Sequence, residues 1–166
     1  MVRYLEKINL RDVYMKLVRQ IQRCLLMNKR VCVGYNTKTE EWTNIHIGEY
    51  IHGNGLVITA SSLVEKNGKL DSEENFTFAP EFSLFKELLI NDKVGNGSDW
   101  IIFSLSPPTI NSLKIFDVFG INQFCYLHLD ELENNKLMKT KWHEVMDGIA
   151  KSLGIKILPI NIKDRR

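Results

Sequence analysis

The sequence predicts a single α+β domain over residues 1–166, with a mainly antiparallel sheet, an N-terminal amphipathic helix, and a C-terminal helix followed by a strand. Three observations predict it. Apolar residues recur at three- and four-residue steps over 10–25 and again over 137–153, the period of a helix with one buried face. Between them lie short runs rich in Val, Ile, Phe and Tyr, bounded by Gly, Asn and Pro, which read as strands. The chain has 166 residues, 44% of them hydrophobic and 25% charged, ordinary values for one domain that buries its own core. Runs of strands separated by single helices define the α+β class.

The first helix buries Leu10, Val13, Tyr14, Leu17, Val18, Ile21, Cys24 and Leu25. Asn9 is its N-cap and Asn28 its stop, and Asp12 and Lys16 are spaced to pair across one turn. Strands follow at 31–35, at 42–51 and at 56–60, forming an antiparallel meander. Residues 61–75 are polar and read as a loop; 76–78 read as a short strand. Pro80 opens a helix with Phe82, Phe85, Leu88 and Leu89 inward, since proline is tolerated in a first helical turn. Residues 100–105 form a buried strand ended by Pro107 and Pro108. Residues 113–119 and 124–129 read as a hairpin turning through 120–123. The last helix points Met138, Trp142, Val145, Met146, Ile149 and Leu153 inward, stops at Gly154, and gives way to a closing strand over 155–160.

Composition narrows function. No run of apolar residues is long enough to span a bilayer, and the first residues carry scattered charges in place of a signal sequence. The expected location is intracellular, the cytoplasm first. The three cysteines, Cys24, Cys32 and Cys125, sit in apolar runs and read as small buried hydrophobes. They have no zinc-ligand spacing, so no metal and no cofactor are expected.

The segment "GEYIHGNGLVITASSLV" resembles the hairpin that carries the catalytic histidine in chymotrypsin-like proteases. Gly48 opens it, and Thr59 and Ala60 match the family's Thr-Ala. "GSDWIIFSL" is similar to the family's segment for the catalytic acid, with Asp99 in that place. The histidine position holds Ser62, and no Gly-x-Ser-Gly loop follows. Without the imidazole nothing can take the nucleophile's proton, so the segment is read as an apolar strand between a turn and a loop.

Other chemistry is sparse. A phosphate-binding loop is excluded, because the Gly-rich stretch before Trp100 precedes a strand and lacks the Gly-Lys-Ser/Thr signature. Asp130 and Glu131 follow a strand, where carboxylates can hold a magnesium ion, and His143 lies beside Glu144. These three are the candidate catalytic groups of a small metal-dependent nuclease. Net charge is only +2, but cations crowd both ends of the chain. Lys16, Arg19 and Arg23 fall on one helical stripe, with Lys29 and Arg30 just beyond. Such a stripe fits phosphates or anionic lipid. The first expectation is therefore a non-enzymatic binding or assembly protein contacting a polyanion, nucleic acid before membrane. Trp42, Tyr50 and Tyr126 are the aromatics available for stacking on bases. A protein partner or a homo-oligomer is the third reading.

Overall fold

The computed structural model describes residues 2–22, 29–49, 80–129 and 141–164. The expected strands at 56–60 and 76–78, the loop at 61–75 and the start of the last helix lie outside those residues. Five helices and five strands are described: α1 (Val2–Lys7), α2 (Leu10–Gln22), β1 (Lys29–Asn36), β2 (His46–Glu49), α3 (Pro80–Ile90), β3 (Trp100–Ser104), α4 (Ile110–Phe119), β4 (Gln123–His128), α5 (Lys141–Leu153) and β5 (Lys156–Asn161). The strands form one sheet in the order β2-β1-β3-β4-β5.

The sheet is mixed. β1 runs antiparallel to both β2 and β3; of the expected meander only the β1–β2 pairing falls on described residues. β3, β4 and β5 are parallel to one another. The expected hairpin over 113–129 is therefore corrected: 110–119 are the helix α4, and a helical crossover carries the chain back so that β4 starts at the same end as β3. The local signals for that helix are its two ends. Thr109 caps the start, its Oγ1 accepting from the Ser112 N–H. Gly120 ends it at φ 74°, a left-handed conformation that costs glycine little. Gly97 packs against this terminus, and a Cβ there would lie 2.0 Å from the Phe119 carbonyl oxygen.

Both faces of the sheet are covered, so strand residues alternate between two cores. Val31, Val33, Tyr35, Ile101, Phe103, Cys125, Leu127 and Ile160 face α1 and α2. Cys32, Trp100, Ile102 and Phe124 face α3, α4 and α5. Burial on both sides explains why β3 is continuously apolar rather than alternating. Cys32 and Cys125 are fully buried, and burial pushes the Cys32 thiol well up, with Glu81's charge adding to it.

Helix faces follow sequence periodicity with corrections. Asn9 caps α2 as expected, its side chain accepting from the Asp12 N–H at 3.1 Å. In α3, Leu84, Phe85 and Leu88 are buried, whereas Leu89 points out, 55% exposed. In α5, Met146 and Ala150 are buried and Val145 is exposed, so the buried stripe is rotated from the expected one. Gly154 closes α5 at φ 73°. The alternation expected through 42–51 also slips. Trp42 makes a single bridge to Tyr35, while Thr43 turns to the α3 side and caps the Gly34 N–H at 2.9 Å.

Candidate functional site

Among the described residues two polar regions bear on the expected site residues, and the sheet lies between them. The first is the outer face of α2. Burying Leu10, Val13 and Leu17 leaves Arg11, Asp12, Met15, Lys16 and Arg19 in solvent. Lys16 and Asp12 pair at 3.2 Å, both more than half exposed, an arrangement worth well under ~1 kcal/mol. Arg19 has no acidic partner among the described residues. Beside this face a groove of about 850 Å³ runs between the helices and the β1–β2 side of the sheet, lined among others by Lys7, Lys16, Gln20, Trp42 and Asn44. Trp42 is 44% exposed. Its ring sits 4.5 Å from that of Tyr35 and 6.0 Å from Phe103, which fixes its orientation while leaving it open to solvent. Asp12 and Glu40 also line the groove, so its cations are partly balanced.

The second region is at the carboxyl end of β3. Arg30 shares the α3-facing side of β1 with Cys32, and it is 3% exposed. Its Nη1 and Nη2 donate to the two oxygens of Glu81, at 2.9 Å and 2.5 Å. Nε donates to Ser106 Oγ and Nη2 also to the Pro107 carbonyl, both at 3.2 Å. Glu81 is the second residue of α3 and is fully buried, where a helix N-terminus favours a carboxylate. Thr109 and Ser112, hydroxyl to hydroxyl at 2.9 Å, hold the start of α4 behind Pro107. The arginine therefore ties the first residues of β1 to the starts of two helices.

Of the five residues expected to bind polyanion, Lys16 and Arg19 come together on α2. Arg30 does not join them: it lies on the other side of the sheet, buried and bonded. Lys29 lies in β1 opposite Glu49, and Arg23 lies outside the described residues, as do Asp130 and Glu131. His143 lies within α5. Asp99, the acid of the protease resemblance, sits in a 3₁₀ turn (Gly97–Asp99) where its carbonyl accepts from the Thr37 N–H and hydroxyl. Of the three stacking candidates, Trp42 is half-exposed and Tyr126 half-buried; Tyr50 lies outside the described residues. The Arg30–Glu81 pair was missed because its partners are 51 residues apart. The available signal was parity, since Arg30 and Cys32 alternate with the apolar residues of the opposite face.

Among the described residues no cluster of three or more His, Cys, Asp or Glu side chains is arranged to hold a metal ion, and no helix is long and apolar enough to cross a membrane. No family model matches the sequence, and no curated protein matches it.

Proposed function

We propose that this is a non-enzymatic, intracellular binding protein whose ligand is a polyanion, nucleic acid in preference to a membrane surface. The observation that carries the reading is the exposed α2 face with Arg11, Lys16 and Arg19, adjoining a groove that holds a half-exposed, pre-oriented tryptophan. Cations that track phosphates beside an aromatic platform that takes a base are the two elements of single-strand recognition. Lipid head groups would use the cations but not the indole in its groove.

The test is a titration of labelled single-stranded DNA and RNA at two salt concentrations, with and without magnesium. Three to four phosphate contacts on a single strand lower affinity roughly 20- to 50-fold between about 50 and 200 mM salt. Salt-insensitive or absent binding refutes the reading, and magnesium-dependent degradation replaces it with the nuclease reading.

A second reading, a protein-interaction module, is favoured by a different observation. An apolar groove of about 390 Å³ between α3 and α4 is lined by Phe82, Leu89, Val118 and Phe119, with Lys86 and Lys114 its charged members. Leu89, the neighbouring Ile90 and Val118 are all more than half exposed, and contiguous exposed apolar surface marks interaction sites.

A further inference from the structure

We infer that the starts of α3 and α4 form the frame of a zinc-dependent nucleobase deaminase centre in which the Arg30 guanidinium occupies the place of the metal. Such enzymes carry the signature His-x-Glu … Pro-Cys-x-x-Cys: one histidine and two cysteines bind zinc, and the glutamate, which is not a ligand, moves the proton. In this chain Glu81 stands two residues after Ala79, and Pro107 is followed by Pro108, Thr109, Ile110 and Asn111. Of the signature's five named residues only the glutamate and the proline are present. Counted from these two, all three ligand positions are changed in the sequence, to Ala79, which lies outside the described residues, and to Pro108 and Asn111.

The sequence match alone is weak, but the fold brings Glu81 and the Pro107 segment together. Glu81 opens α3, the Pro107 segment opens α4, and both helices pack on one face of the sheet. One nitrogen of Arg30 bonds to both Glu81 Oε1 and the Pro107 carbonyl. A buried carboxylate needs a compensating cation, and here the chain supplies its own. The residues present do not fit zinc. Alanine and proline side chains offer no donor atom, a carboxamide is not among zinc's usual ligands, and a guanidinium is never deprotonated in a protein. Glu81 has both oxygens engaged by the same guanidinium, so it is held as an acceptor and not free to shuttle a proton. The centre thus reads as a closed clamp. The inference is independent of the polyanion reading, because its tests read stability and metal content rather than nucleic acid.

Two measurements test it. In the first, Arg30→Ala is melted with methylguanidinium or with tetramethylammonium at equal concentration. The variant is expected to melt roughly 10 °C below wild type, with at least half the loss recovered by methylguanidinium and none by tetramethylammonium. Arg30→Gln, which stays closer in volume, serves if the alanine variant does not fold. Recovery that is absent, or equal with both cations, overturns the idea of a guanidinium-shaped position. In the second, Ala79→His, Pro108→Cys and Asn111→Cys are combined with Arg30→Ala and titrated with cobalt. One cobalt per chain with thiolate charge-transfer absorption is expected, and at least tenfold weaker binding when Arg30 is retained. A folded quadruple variant that takes up no more cobalt than wild type, or equal affinity with and without Arg30, overturns the inference.

Discussion

Arg19 and Arg30 belong to the same basic segment of the sequence, yet they end in opposite environments. Arg19 stands in solvent on α2 with no acidic partner among the described residues. Arg30 is 3% exposed, with four hydrogen bonds spread over Glu81, Ser106 and Pro107. The difference teaches that a run of cations is not one surface. An exposed arginine keeps its water and is free to exchange it for a phosphate, so it contributes to binding and little to stability. A buried arginine has already lost its water, so it stabilises the fold only through its partner and contributes nothing to an external ligand. The same contrast separates the Asp12–Lys16 pair, which water screens, from the Arg30–Glu81 pair, which it does not.

The largest expected effect comes from breaking the buried pair. Glu81→Met alone leaves a bare guanidinium in the core and is expected to cost about 3–5 kcal/mol in urea unfolding. Arg30→Met with Glu81→Met removes both charges and is expected to recover most of that loss. A double variant as unstable as the sum of the singles would show that the two side chains do not act as a pair.

Charge reversal on α2 should do the converse. Lys16→Glu with Arg19→Glu is expected to weaken single-strand binding by at least tenfold and to flatten its salt dependence. Unfolding free energy should stay within ~0.5 kcal/mol, because the positions are exposed. Trp42→Ala sharpens the contrast within the groove. Loss of one stacked base is worth about 1–3 kcal/mol of binding, with no change in salt slope, whereas loss of a phosphate contact changes both.

Fold and site were unequally legible in the sequence. The strands around Val33, Ile102 and Ile157 were readable as short apolar runs between breakers, and the helix from Leu10 was readable from its period. The stretch from Leu113 to Phe119 was not, because its aromatic and β-branched residues, Ile115, Phe116, Val118 and Phe119, are of the types that favour strands. Leu113 and Phe116 are buried three residues apart while Val118 is 78% exposed, so residue type did not track burial. Thr109 and Gly120 were the better evidence, and weighting the caps over strand propensity would have given the parallel half of the sheet. The site divided in the same way. An exposed stripe such as Lys16 and Arg19 is local, so helical spacing reveals it. The inward turn of Arg30 depends on Glu81, far along the chain, and only the strand parity hinted at it.

The smallest effect is expected at an exposed pair near the groove. Lys93 donates to Glu41 at 2.8 Å. That hydrogen bond, then the charge, holds the Glu41 carboxyl below its ordinary value, and the same partner holds Lys93 above its own. The lowered carboxyl stabilises above the unfolded-state glutamate value and loses this as pH falls through the folded one. The raised amine stabilises below the unfolded-state lysine value and loses this as pH rises through the folded one. Glu41→Gln should therefore remove a slight acid-side slope in melting temperature and leave the neutral midpoint within the scatter of repeat scans.

The most direct measurement sets the two arginines side by side. Arg19→Glu and Arg30→Gln are each titrated with one labelled single-stranded oligonucleotide, at a temperature where circular dichroism shows both folded. The expected result is that Arg30→Gln binds within about twofold of wild type, while Arg19→Glu loses affinity severalfold and more so at low salt. A folded Arg30→Gln that loses as much affinity as Arg19→Glu would contradict the separation of a structural arginine from a binding one.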